Sequence, residues 1–206
     1  VQNLMSDFFP STVVKLDVEE AQAILDRAIA NKDGSNQGQK MALEALLSYN
    51  FDFNSYDLSG INFAGIRINE GSFESNKMNF TVLDSAKGNN SILKRSQLQF
   101  ASLDESIFTH SDFSSIYAPF ISAKNINLSK SNLSKSNFFF GDFRGANFEG
   151  ADLSGVSFAF ADLTGANLTG ANLTGAYMIG AILEDAVFKN AKIDNTDFLH
   201  VDFPFL

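Results

Sequence analysis

From Phe53 to Phe203 every fifth residue belongs to one unbroken series of 31 centres, and 28 of them are Leu, Phe, Ile or Met. The exceptions are Gly88, Ala118 and Ala123. A period of five matches neither a helix at about 3.6 residues per turn nor a strand at about 2. So short a unit cannot bury its own apolar face and must stack on its neighbours, which makes the chain a solenoid. Such a pattern encodes a scaffold, so function has to be sought on its outer surface.

The register is clearest from Ala146 to Gly180, ANFEG ADLSG VSFAF ADLTG ANLTG ANLTG AYMIG. In most of these units a small residue stands two before the centre, Asp or Asn directly before it, and Gly two after it. In an extended segment the centre and the residue two before it point inward, and the other three point outward. One large and one small residue per side fill a narrow tube without voids. Gly at the corner suits the positive φ that tight turns demand.

A-(D/N)-L-x-x resembles the pentapeptide-repeat family, over residues 51–206. The resemblance implies an all-β solenoid, a right-handed quadrilateral β-helix with one pentapeptide per side and twenty residues per coil. Thirty-one units then give about eight coils and a rod roughly 37 Å long at ~4.8 Å per coil. One interior ladder reads Leu58, Met78, Leu98, Ala118, Phe138, Phe158, Met178, Phe198. Beside Ala118 and Ala123, Ile116 and Ile121 occupy the slots that are normally small, so the large and small roles exchange and volume is conserved. Gly88 has only Ala86 beside it, which makes 87–90 the expected defect in the tube.

Residues 1–50 lack the five-fold period and are expected to form a small helical N-terminal cap on the open end of the β-helix, which otherwise presents an unpaired edge. Asp17 with Glu20 is a capping arrangement, and Val18, Ala21, Leu25 and Ala28 share one helical face, so a helix is expected over 18–31. Lys32-Asp33-Gly34 is the expected stop, a second helix is expected over 38–48, and 12–16 reads as a short strand.

Chemistry is sparse. The chain has two histidines, in outward slots on different sides, and no cysteine, so neither a metal site nor a cofactor is expected. The glycines of the repeat recur mostly at corners rather than in a phosphate-binding loop, and most Asp residues of 51–206 are the repeat's own Asp/Asn slot. The same slot generates four of the six Asn-x-Ser/Thr matches, Asn79 and Asn89 standing one residue after a centre instead. The expectation is a protein that is not an enzyme.

No stretch reaches the roughly 18 apolar residues of a membrane span, and no signal peptide is visible, which points to the cytoplasm. The chain begins with Val1, as a processed or excised segment would.

The pentapeptide-repeat resemblance also implies a function: quinolone-resistance members bind DNA gyrase and related topoisomerases by imitating DNA. The net charge of −9 agrees with that, and Asp142, Asp162 and Asp202 stack on one side as a candidate acidic stripe. Residues 51–206 nonetheless carry 17 acidic against 11 basic residues, thin beside duplex DNA's one charge per ~1.7 Å. The loops that interrupt the repeat in those members are missing here.

Another surface feature is less expected. The corner slot is Phe at 80, 100, 120, 140 and 160, one column up one edge, with Tyr117, Phe139 and Tyr177 in nearby outward slots. A contiguous apolar stripe marks a contact surface. The column is ~19 Å long by strand spacing, and a 13-residue helix is about 20 Å, so the helix over 18–31 is expected to fold back and cover it. Uncovered, it is a surface for a protein partner.

The favoured reading is a non-catalytic protein-binding scaffold with an unidentified protein partner, no direct nucleic-acid binding and no membrane span. Two alternatives stand beside it, the DNA-mimicking gyrase binder and a β-helix domain of a larger bacterial protein or secreted effector. Phe198 and Phe203 run into Phe205 and Leu206 without a polar terminator, so a homodimer through the C-terminal coil is also expected.

Overall fold

The computed structural model describes residues 16–31 and 36–201. The expected strand at 12–16 (all but Leu16) and the stop at Lys32–Gly34 lie outside the described residues.

Two helices come first, α1 (Val18–Asn31) and α2 (Asn36–Ser48). The reciprocal cap of α1 forms as its sequence spacing requires. Glu20 N donates to Asp17 Oδ1 at 2.8 Å, and Asp17 N donates to Glu20 Oε2 at 3.4 Å. α2 begins two residues before the expected Gly38, because Asn36 and Gln37 continue the helical backbone.

From Asp57 to Asp197 the backbone winds in parallel bridges between residues twenty apart, without a break. Each side is one short extended segment. Every corner, two residues after a centre, has positive φ, from Ser55 at 64° to His200 at 58°. The centre's carbonyl accepts a hydrogen bond from the N–H three residues on, as from Ala101 N to Leu98 O at 3.1 Å. That bond together with the positive φ is the mark of a type II turn. Four such corners per twenty residues make the tube four-sided.

Large and small inward residues form one continuous core, with Phe53, Phe63, Phe73, Phe108, Phe113, Phe138, Phe143, Phe148 and Phe158 all buried. Ile116 and Ile121 are buried beside Ala118 and Ala123, the exchanged arrangement.

The expected defect at 87–90 does not form. The ring of Phe108, one coil on, fills the space above Gly88. A Cβ at Gly88 would stand 2.1 Å from Phe108 Cε1. The ladder runs straight through, Arg67 to Lys87 to Ile107.

A second interior device has no signature in the five-residue pattern. At several small slots that hold Ser, the hydroxyl satisfies two backbone groups of the preceding coil. Ser111 Oγ donates to Gly88 O at 2.8 Å and accepts from Ser91 N at 3.1 Å. Ser131 and Ser136 repeat the arrangement. The inward hydroxyls are therefore satisfied, as burial demands.

The helices pack against the first coils. Ala21, Leu25, Leu43 and Leu46 join the same core as Phe53. Gln22 Nε2 donates to Tyr56 Oη at 3.4 Å, and Arg67 N donates to Glu44 Oε1 at 2.9 Å.

Candidate functional site

The Phe corners form a single stack. Ring centroids are 5.1 Å apart from Phe80 to Phe100 and from Phe100 to Phe120, then 5.5 Å to Phe140 and 5.2 Å to Phe160. The first three pairs are parallel to within 5°, and the last is tilted by 19°. The backbone repeat, close to 5 Å, sets this spacing. The rings lean toward the C-terminal end, so the column stops where Phe160 lies over Gly180, 2.8 Å from where a Cβ would be.

These rings are open to solvent: Phe80 is 60% exposed and the other four 47–51%. The expectation that α1 covers the column is corrected. α1 turns its apolar face to α2 and the first coils instead, where Ala21 and Leu25 find a buried site against Phe53. That site removes more apolar surface from water than a single ridge of ring edges could.

The side of the tube that ends at this column is uncharged over most of its length. Its outward slots read Gln97, Gln99, Tyr117, Pro119, Asn137, Phe139, Ser157, Ala159, Tyr177 and Ile179. Tyr117 and Tyr177 are exposed. Phe139 is half-buried and sets its ring edge-on to Phe120, Phe140 and Phe160. Asp57 and Lys77 stand at one end of the same ladder and Asp197 at the other.

The next side, beyond the column, holds the candidate acidic stripe. Asp142 and Asp162 are bridged neighbours, and Asp202 lies outside the described residues. Arg144 sits between them, 2.6 Å from Asp142 Oδ2 and 3.7 Å from Asp162 Oδ2. Hydrogen bonds from Arg144 hold the Asp142 carboxyl below its ordinary range. Two coils earlier, burial pushes Asp104 up, but hydrogen bonds from Lys124 and Ser122 outweigh it and leave the carboxyl lowered. Asp162 Oδ1 also accepts from the backbone and hydroxyl of Thr164. The Asp/Asn slot is thus an Asx turn that closes the corner. Its carboxylates are tied to the fold and to cations, a poor copy of free phosphates.

Of the candidate C-terminal end, Phe203, Phe205 and Leu206 lie outside the described residues. Phe198 is half-buried, and the interior position Ile193 is 51% exposed in the last described coil. His110 and His200 both occupy corners. Among the described residues no three His, Cys, Asp or Glu side chains converge to hold a metal ion, and no helix is long and apolar enough to cross a membrane.

A family model described as pentapeptide repeats matches eight copies, over residues 122–149, 131–170 and 171–204. Residues 122–204 are pentapeptide repeats. The twenty-residue ladder continues in the same register upstream of the matched residues, back to Asp57.

Similar solved structures include three other proteins of this kind. A trypsin-treated form of QnrB1, a plasmid-mediated fluoroquinolone resistance protein, is 14% identical, with 72% of this chain and 80% of that chain covered and a TM-score of 0.46. HetL, involved in heterocyst differentiation regulation in the cyanobacterium Nostoc, is 19% identical, with 82% and 92% covered and a TM-score of 0.34. A protein of the Arabidopsis thaliana thylakoid lumen is 23% identical, with 84% and 77% covered and a TM-score of 0.20. No curated protein sequence matches this chain.

Proposed function

We propose that this chain is a non-catalytic protein-binding scaffold. In this reading residues 1–50 cap one end of a β-helix of residues 51–206, and the uncharged side bordered by the Phe column is the contact surface. The observation that carries it is five solvent-exposed phenylalanines in one column, each held at a φ of 55–59° at a corner that elsewhere in the repeat holds Gly or a polar residue. Left-handed backbone costs a bulky residue energy, and such strain is found where function demands it. No fold requirement explains the choice, since Gly or a polar residue fills that corner in the remaining coils.

DNA mimicry has the net charge of −9 in its favour. Against it, Lys124 and Arg144 interrupt the stripe that would have to imitate phosphates. Placement of the chain within a larger bacterial protein is compatible with the scaffold reading.

The test is affinity capture from an extract of the source organism with wild type, Phe120→Asn/Phe140→Asn and Asp142→Asn/Asp162→Asn. The scaffold reading expects a protein that the Phe variant loses and the Asp variant keeps. Gyrase subunits lost with the Asp variant and kept by the Phe variant would establish mimicry instead.

A further inference from the structure

We propose that the occupant of the uncharged side is a second copy of this chain, lying antiparallel to the first with Phe column against Phe column. The inference rests on the scaffold reading and names the partner of its contact surface.

Ring chemistry narrows the choice first. Inside the column the ring faces are consumed in stacking on one another, so ring edges and the outer face of Phe80 are what reach solvent. A sugar or a nucleic-acid base, which stacks on an exposed ring face, therefore has no platform along the length of the column. A flat, uncharged surface edged by aromatics suits another protein surface of the same kind.

The charges then select the arrangement. The ladder of this side runs Asp57, Lys77, Gln97, Tyr117, Asn137, Ser157, Tyr177, Asp197, with Asp57 one coil beyond Lys77. Lys77 and Asp197 are each three coils from Asn137. Among the described residues neither is in an ion pair. Consider a two-fold axis lying in the plane of this side, across the rod at the level of Asn137. It turns the rods antiparallel, sets Phe140 against its own twin and Phe120 against Phe160, and brings Lys77 of each copy to Asp197 of the other. A parallel arrangement would place lysine with lysine. Isologous pairing of this kind is the commonest closed assembly.

The area is adequate. About half of five phenylalanines at 150–250 Å² each leaves roughly 500 Å² of ring surface in water. Tyr117, Tyr177, Phe139 and Ile179 bring the side toward the ~800 Å² per partner of a stable interface. Lys135, at the opposite corner, would face its twin, which tilts the contact toward the Phe edge.

Sedimentation equilibrium over a hundredfold range of concentration tests the dimer, using the full chain. Asn is the substitute of choice for the Phe corners, because Asn90, Asn125, Asn190 and Asn195 already hold the same φ in this chain. Phe120→Asn/Phe140→Asn is expected to be a folded monomer with the circular dichroism of wild type. Lys77→Glu should weaken the dimer about tenfold, since both symmetric pairs are lost, and adding Asp197→Lys should restore it. The chain has no cysteine, so Asn137→Cys gives a single reactive site. A bismaleimide with a spacer of about 10 Å, the face-to-face distance of packed sheets, should link it to its twin.

Three results would overturn the proposal. One is a wild type that stays monomeric throughout. Another is a dimer indifferent to the Phe variant. The third is an Asn137→Cys variant that dimerises like wild type yet fails to cross-link, as an end-to-end dimer through the C-terminal coil would give. A monomeric wild type that binds a hydrophobic dye, with binding lost in the Phe variant, would end the second-copy assignment and leave the contact surface open for another protein.

Discussion

A phenylalanine in the left-handed region costs about 1–2 kcal/mol relative to glycine, and each stacked ring pair returns about 0.5–1.5 kcal/mol. In the column at 80–160 the two nearly cancel, so those rings hold the tube together very little. Phe158 is different. It is buried and packed against Phe138, Phe143 and Phe148 at centroid distances of 5.3–5.6 Å. Phe158→Ala is expected to lose about 3–5 kcal/mol through a cavity, while Phe120→Asn stays within about 1 kcal/mol of wild type. Urea titration of both variants measures the contrast, and equal losses would refute it. Asn76 offers a stabilising change. Its Oδ1 accepts from Tyr56 N at 3.2 Å, but its buried Nδ2 has no acceptor. Ser occupies the equivalent slot at Ser96 with every group bonded, donating to Phe73 O at 2.7 Å and accepting from Asn76 N. Asn76→Ser should therefore raise stability by about 1 kcal/mol, read as a higher melting temperature.

At the scale of a single side, the charged ladder behaves as a set of local clamps. The folded-state pKa of Asp142 is depressed by Arg144, so the stability it contributes is present above the ordinary value of 3.8 and lost as pH falls through the folded value. Asp142→Asn should accordingly melt below wild type at pH 7 and at pH 5 by the same interval. That interval should close as the pH drops below 3.8. A gap that persists undiminished at pH 2 would mean the carboxylate's charge is not what stabilises the corner. At the helical end, Leu46 of α2 is wholly buried in the core it shares with Phe53. Leu46→Asp is expected to detach the helices, expose the first coil and raise hydrophobic-dye fluorescence. A dye-silent variant would argue that the helices do not shield that edge.

Across the whole molecule each coil touches only its neighbours, so stability is close to a sum of coil and interface contributions and is lowest where a neighbour is missing. The interior residue Leu173 is fully buried, and one coil on its ladder partner Ile193 is 51% exposed. Amide exchange should therefore be slowest in the middle coils and grade outward to fast exchange from about residue 183 onward. Uniform protection up to residue 201 would show that something covers the C-terminal coil, as an end-to-end dimer would do.

The five-residue period by itself determined the solenoid, the identity of the inward residues, the corners and the exchange at Ile116 and Ile121. Each follows from alternation along an extended chain and from the volume of a narrow tube, which are local rules that repeat. Helix α1 was legible as well, because Asp17 and Glu20 cap it within four residues. Contacts between coils were decided only in three dimensions. The ring of Phe108 fills the place above Gly88 from twenty residues away, and serine hydroxyls donate to carbonyls twenty-three residues earlier in the chain. Where α1 rests was equally a tertiary matter. Its apolar face fits the column in length, yet the first coils and α2 bury more of it, so the Phe column stays in water. Amphipathic pattern fixes which face of a helix is buried, and the partner that buries the most area fixes where.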